Sequence, residues 1–228
     1  MKLAALFSGG KDSTFAVYKM IKEGHEVKYL ITLFPKRFDS WMFHVPCIEM
    51  TKVQSQLMGI NHLFRESSGE KEEELKDLEK IIEEIKDEIE GIVSGTIESR
   101  YQKSRIDKIC DKFRLISIAT LWHKDPEELL REELKEGFEI LVVSASSEGL
   151  DRSWIGRKID EKAIEELKKI REDFGLHLAG EGGEFETLVL DCPLFSKKIK
   201  IKDFDVIWNK EENSGYMKIK DFELLPKV

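Results

Sequence analysis

Cysteine is scarce. Cys47, Cys110 and Cys192 are odd in number and far apart. They form no Cys-x-x-Cys pair, so neither a zinc site nor a disulfide framework is indicated. Long apolar runs are missing too, and nothing approaches membrane-spanning length. Met1-Lys2 leads straight into a strand-like run without a signal-peptide pattern, so a cytoplasmic protein with no membrane partner is expected. Positive charge is in deficit: 37 Lys and Arg face 45 Asp and Glu, a net charge of −8. The basic footprint of a nucleic-acid binder is absent overall. No internal repeat and no low-complexity linker interrupts the chain. What is abundant is charge of both signs, 36% of 228 residues and mostly Lys and Glu. That balance occurs in proteins of very hot environments and on very soluble surfaces alike. The length suits one large or two small domains with a sizeable core.

One short stretch carries a chemical signature. Leu3-Ala4-Ala5-Leu6-Phe7 has the length of a buried strand. Thr14 to Glu23 has Phe15, Val17, Met20 and Ile21 at helical spacing, with Gly24 as a stop. Between them lies Ser8-Gly9-Gly10-Lys11-Asp12-Ser13. At a strand-to-helix turn, two glycines let backbone N–H groups point inward, and the following helix adds its positive end. Lys11 supplies a mobile charge, Ser8 and Ser13 supply hydroxyls, and Asp12 can hold Mg²⁺. These residues make a site for a polyphosphate. The spacing is not that of the common P-loop. The order resembles the PP-loop of ATP pyrophosphatases, which cleave ATP between the α and β phosphates.

The rest of the first half alternates strand and helix. Glu26 to Phe34 reads as a buried strand ended by Pro35, and Thr32, Leu33 and Phe34 stand at its carboxyl end, where backbone groups can meet an adenine. Asp39 to Pro46 is an aromatic loop holding His44. Residues 47–58 read as a helix, His62 to Arg65 as a short strand, and 70–90 as a helix with one apolar stripe. Gly91 to Ile97 is a strand whose carboxyl end offers Gly95 and Thr96 to a ligand, followed by a helix start with Arg100, Lys103 and Arg105 as phosphate-facing candidates. Leu115 to Leu121 reads as a fifth strand and Pro126 to Glu136 as a helix. This alternation predicts a parallel, Rossmann-like three-layer α/β domain over residues 1–124. Residues 125–228 read as a smaller α+β domain: a strand at Phe138 to Ala145, a helix at Asp160 to Phe174, a strand at Leu188-Val189-Leu190, and a hairpin of 198–208 with 215–225. Within it, Gly180-Glu181-Gly182-Gly183-Glu184-Phe185-Glu186-Thr187 is glycine-rich and acidic. Such a turn suits a cation or a proton acceptor, and equally a solvated loop.

Ser8–Ser13, Trp41–Pro46, Gly95–Arg105, Leu150–Arg157 and Glu181–Phe195 together resemble the diphthine–ammonia ligase family of PP-loop enzymes. The run from Glu181 to Thr187, with Asp191 and Pro193-Leu194-Phe195, is the most family-specific part. Cys47 departs from the polar residue, such as asparagine, expected after His44-Val45-Pro46. The lack of extra C-terminal domains resembles the short archaeal form. The resemblance implies an adenine nucleotide alpha hydrolase-like fold with ATP and Mg²⁺. It also implies amidation of diphthine on translation elongation factor 2 with ammonia, through an acyl-adenylate, releasing AMP and pyrophosphate. It implies Lys11, Asp12, Glu184 and Glu186 as catalytic, and Ser8 to Ser13 as the pyrophosphate site. His44, Tyr101, Arg105, Trp154, Glu181, Gly182, Gly183, Phe185 and Thr187 would meet the substrate. Glu181, Glu184, Phe185 and Trp154 are candidates for a cage around its quaternary ammonium. Two other readings stand beside this one. The first is a PP-loop enzyme acting on tRNA or a small metabolite, against which the missing Cys-x-x-Cys and the acidic charge weigh. The second is a non-catalytic nucleotide sensor. Self-association is left open.

Overall fold

Apolar residues at positions 3–6 form the central strand of a parallel sheet. The computed structural model describes residues 1–35, 47–67 and 71–227; the aromatic loop and His44 lie outside them. The chain packs as two units, Met1–Ser8 with Asp12–His123, and Gly9–Lys11 with Lys124–Val228. The first unit contains β1 (Lys2–Leu6), α1 (Lys11–Lys22, from Asp12 on), β2 (Glu26–Pro35), α2 (Met50–Met58), β3 (Asn61–Ser67), α3 (Lys71–Ile85), β4 (Gly91–Ser94), α4 (Arg100–Phe113) and β5 (Ile116–Ala119). All strand pairs are parallel, in the order β3-β2-β1-β4-β5. Right-handed crossovers put α1 and α2 on one face and α3 and α4 on the other.

One face closes around Ala4, Ile31 and Ile92 of the sheet, with Leu78, Ile81, Ile82 and Ile85 of α3 and Ile106, Ile109 and Cys110 of α4. The three-and-four spacing on α3 makes that stripe. Burying an isoleucine such as Ile82 contributes about 1.5–3 kcal/mol. The chain leaves β1 toward β2 on one side and returns from β3 to β4 on the other. The strand order therefore reverses between β1 and β4. In open α/β sheets, ligands bind at the carboxyl ends beside such a switch point.

The second unit is α+β: α5 (Pro126–Lys135), β6 (Glu139–Ala145), β7 (Lys158–Ile159), α6 (Glu161–Phe174), β8 (Phe185–Asp191), β9 (Lys197–Asn209) and β10 (Ser214–Pro226). Its sheet is antiparallel, in the order β7-β6-β10-β9, with β8 also paired to β6. Asp125 caps α5 by accepting from Glu127 N and Glu128 N, and Asp160 caps α6 by accepting from Ala163 N at 2.7 Å. The two helices are laced together by Arg131 with Glu127, Glu161 and Glu165, and by Lys168 with Glu127 and Glu165. A parallel α/β domain followed by an α+β one is the architecture read from the sequence. Among the described residues no helix is long and apolar enough to cross a membrane.

Several boundaries differ from the sequence reading: the strand read to Ile97 ends at Ser94, the helix read to residue 90 ends at Ile85, and the helix read from Thr14 starts at Lys11. The helix expected from residue 47 starts at Met50, because Cys47 has φ 63° and its carbonyl accepts from Met50 N in a turn. The strand expected to reach Leu121 ends at Ala119, whose carbonyl accepts from Trp122 N. The strand expected at Leu188 begins at Phe185, because β6 offers partners from Ala145 onward and so draws Phe185, Glu186 and Thr187 into the sheet.

Candidate active site

The glycine–serine loop follows β1 at the switch point. In the first unit, Ser13 Oγ accepts from Ser8 N at 3.3 Å and lies 3.1 Å from Ser8 Oγ, so the two hydroxyls fasten the loop's ends to each other. Gly95, at the end of β4, lies against the start of α1. A Cβ there would stand 2.7 Å from Asp12 C and from Ser13 N. Only a glycine lets the two backbones approach this closely. Gly95 and the buried Thr96 thus share the neighbourhood of Asp12 and Ser13.

Thr32 is buried at the carboxyl end of β2. Its hydroxyl donates to Phe7 O at 2.6 Å and lies 2.8 Å from His62 Nε2. The hydroxyl proton is used on Phe7, so His62 donates, with its proton on Nε2. Burial and Lys52 push the His62 imidazole down to about 4. Phe34 stacks on Phe64 at 4.2 Å, and Lys52 Nζ lies 4.0 Å from the centre of the Phe64 ring. Thr32 therefore offers a ligand only its backbone, and an aromatic pair flanks it.

Gly9 to Lys11 belong to the second unit. Gly9 has φ 79°, and its carbonyl accepts from Val189 N at 3.0 Å. Lys11 N donates to Thr187 Oγ1 at 3.1 Å. Lys11 was expected to be mobile, yet it is 1% exposed and its ammonium donates to Ala179 O at 2.8 Å. Thr187, read from the sequence as a substrate contact, accepts here from the backbone of the glycine–serine loop.

The acidic turn is folded on itself. Glu184 Oε1 accepts from His177 N at 3.0 Å, Glu184 O from Ser146 N at 2.8 Å, and Gly183 O from Ser146 Oγ at 2.6 Å. Glu184 Oε2 is buried and has no hydrogen-bond partner among the described residues. Glu186 is exposed on β8, Glu181 is half-buried, and Gly182 and Gly183 are exposed at the tip. The aromatic cage expected from Trp154 and Phe185 has no open face. Phe185 is 3% and Trp154 6% exposed, and the Arg157 guanidinium lies 4.4 Å over the Trp154 ring. Both rings fill the core, where alternation along β8 and the turn before Ile155 direct them. On α4, whose N-cap Ser99 accepts from Gln102 N, Tyr101 is 48% exposed and carries Arg105 at 3.3 Å over its ring.

His177 is the residue the sequence reading missed. The signal was present: a lone histidine between Leu176 and Leu178, just ahead of the glycine-rich turn. Among the described residues no group of three or more His, Cys, Asp or Glu side chains is arranged to hold a metal ion. Asp12, half-buried in the first turn of α1, remains the candidate carboxylate for Mg²⁺.

A switch-point loop of two glycines and two serines, ahead of a helix on a 3-2-1-4-5 parallel sheet, defines a PP-loop protein. The chain belongs to the diphthamide synthase family: residues 1–117 match the diphthamide synthase N-terminal domain and residues 125–225 the C-terminal domain. It is 33% identical over 238 residues to the diphthine–ammonia ligase of Schizosaccharomyces pombe, covering 96% of this chain and 39% of that protein. It is 31% identical over 254 residues to the one of Rattus norvegicus and 30% over 256 to the one of Homo sapiens, covering 100% of this chain and 94% of each. By this kinship it is an enzyme of the ligase class.

Proposed function

We propose that the protein amidates diphthine on translation elongation factor 2 in the cytoplasm, using ATP and ammonia and releasing AMP and pyrophosphate. The observation that carries this reading is the loop Ser8–Ser13 at the sheet's switch point, braced by Gly95. Family membership supports the amidation. Residues 1–124 bind ATP and residues 125–228 bind the protein substrate. Thr32, Leu33 and Phe34 offer backbone groups to the adenine, and Gly95 and Thr96 border the phosphates. Mg²⁺ is commonly held by one or two carboxylates plus phosphate oxygens, a role that Asp12 fits. When bound, it neutralises phosphate charge.

A carboxylate resists ammonia because its oxide is a poor leaving group. In the first step, a substrate carboxylate oxygen attacks the α-phosphorus and the bond to the β-phosphate oxygen breaks. The loop's N–H groups, Ser8, Ser13 and Lys11 stabilise the charge on the departing pyrophosphate. Ammonia then attacks the acyl carbon, AMP leaves, and Glu186, exposed on β8, takes the proton. A quaternary ammonium donates no hydrogen bond and needs a counter-charge, for which the half-buried carboxylates Glu181 and Glu184 of the acidic turn are the candidates. Tyr101, Arg105, Glu181 and the Gly182-Gly183 tip meet the rest of the substrate.

The test is to incubate the protein with ATP, ammonium and elongation factor bearing unamidated diphthine. AMP, pyrophosphate and the amide are expected in equal amounts. Lys11→Ala is expected to lower pyrophosphate release roughly 10²–10³-fold, about 3–4 kcal/mol of barrier. ADP as product, or AMP formed equally without the factor, would sink the reading.

A further inference from the structure

The acidic turn is wound around one imidazole. His177 Nδ1 is approached by Ala179 N at 3.2 Å and by Glu181 N at 3.5 Å. A backbone N–H only donates, so Nδ1 is an acceptor without a proton. The carbonyl of the same residue accepts from Gly180 N at 2.8 Å, and its own N–H donates to Glu184 Oε1 at 3.0 Å. His177 therefore grips both N–H groups that bracket Ala179. The Gly180 N–H and the Ala179 carbonyl belong to one trans peptide plane and point in opposite directions. With the N–H turned to His177, the carbonyl faces away from it, and what it receives there is the Lys11 ammonium at 2.8 Å.

We propose that His177 is a positioning residue for Lys11. Its ring and carbonyl aim the Ala179 carbonyl, and that carbonyl holds the ammonium at a fixed point. The proposal rests on the reading of Lys11 as the cation that meets the departing pyrophosphate. A long lysine has much rotamer freedom to lose. Held in this way, it loses that freedom on folding rather than during the reaction, as preorganised stabilisation of charge requires. The second hold is Thr187, whose hydroxyl accepts the Lys11 backbone N–H. One short segment, 177–187, thus carries both the acidic groups assigned to the substrate and the brace of the loop assigned to ATP.

The first arm of the test needs no turnover. The full chain is acylated at lysine without nucleotide, and rates are read by peptide mass spectrometry. Lys162, with a side chain 82% exposed, is the fast reference. His177→Leu fills space but accepts nothing, and is expected to speed acylation of Lys11 at least about fivefold by local opening. His177→Asn puts Oδ1 close to where Nδ1 stood and is expected to stay within about twofold of the wild type. Unchanged Lys11 rates in a folded His177→Leu, or equal acceleration in both variants, overturn the proposal. If His177→Leu fails to fold while His177→Asn folds and keeps Lys11 slow, the acceptor is what holds the turn and the proposal stands. If both fail to fold, an acceptor is not enough and the proposal falls. In the second arm, His177→Leu is expected to lower kcat for pyrophosphate release about tenfold with KM for ATP changed less than about threefold, and His177→Asn to restore it. A loss in KM alone would overturn the assigned role. A wild type that protects Lys11 yet releases no pyrophosphate leaves the His177 brace intact and removes the function proposed above.

Discussion

Burial beside Lys52 pushes the His62 imidazole down to about 4, so its Nε2–H serves Thr32 without picking up a second proton near neutrality. The folded value lies below the unfolded one of about 6.5, so between them the unfolded chain binds more protons. Stability is intact above about pH 6.5 and is lost as the pH falls toward 4. The full shift corresponds to about 3 kcal/mol. The ring is only half-buried, and solvent screening reduces this to about 1–2 kcal/mol. Urea unfolding between pH 7 and 5 is expected to weaken the wild type more steeply than His62→Gln; parallel curves would contradict the coupling. The sequence exposed this residue only as part of a strand, because nothing local announces that Thr32, thirty positions earlier, needs a donor. Lys11 is the converse. Its place in a glycine–serine turn between strand and helix was legible from five neighbours, but its burial was not, because Ala179 lies 168 positions away.

At the scale of elements, the approach of β4 to the start of α1 leaves no room for a methyl group. Gly95→Ala would press against Asp12 and Ser13 backbone, which can yield only by moving the loop. A loss of about 1–3 kcal/mol is expected from overpacking, measured by urea unfolding, together with weaker ATP binding by calorimetry. Unchanged binding would free Gly95 from the loop. The β9–β10 ribbon was readable as a hairpin, and its sequence holds a further signal. Apolar residues run Ile199, Ile201, then Phe204, Val206, Trp208 on one strand, and Met217, Ile219, then Phe222, Leu224 on the other, each slipping phase once. The register shifts flanking Asp221 fall at those slips and keep the apolar side chains on one face. Lys200–Glu223 and Lys202–Asp221 pair across the ribbon. Helix existence was plain from three-and-four spacing. Strand ends were not, because pairing partners set them, as β6 does for Phe185 to Thr187.

For the whole molecule, eight excess negative charges oppose a polyphosphate backbone as partner. Transfer RNA at about 150 mM salt is expected to leave the protein's mobility on a native gel unchanged; a retained complex would revive an RNA substrate. The two units differ in how far apart their interacting segments lie. The parallel unit closes within its own first 123 residues, whereas Gly9–Lys11 packs with residues 124–228. The brace on Lys11 comes from positions 168 and 176 residues downstream. On the ribosome, the loop emerges early but waits for nearly the entire chain before its lysine is held in place. A nascent polypeptide that stops short of Ala179 and Thr187 therefore lacks both groups that hold Lys11.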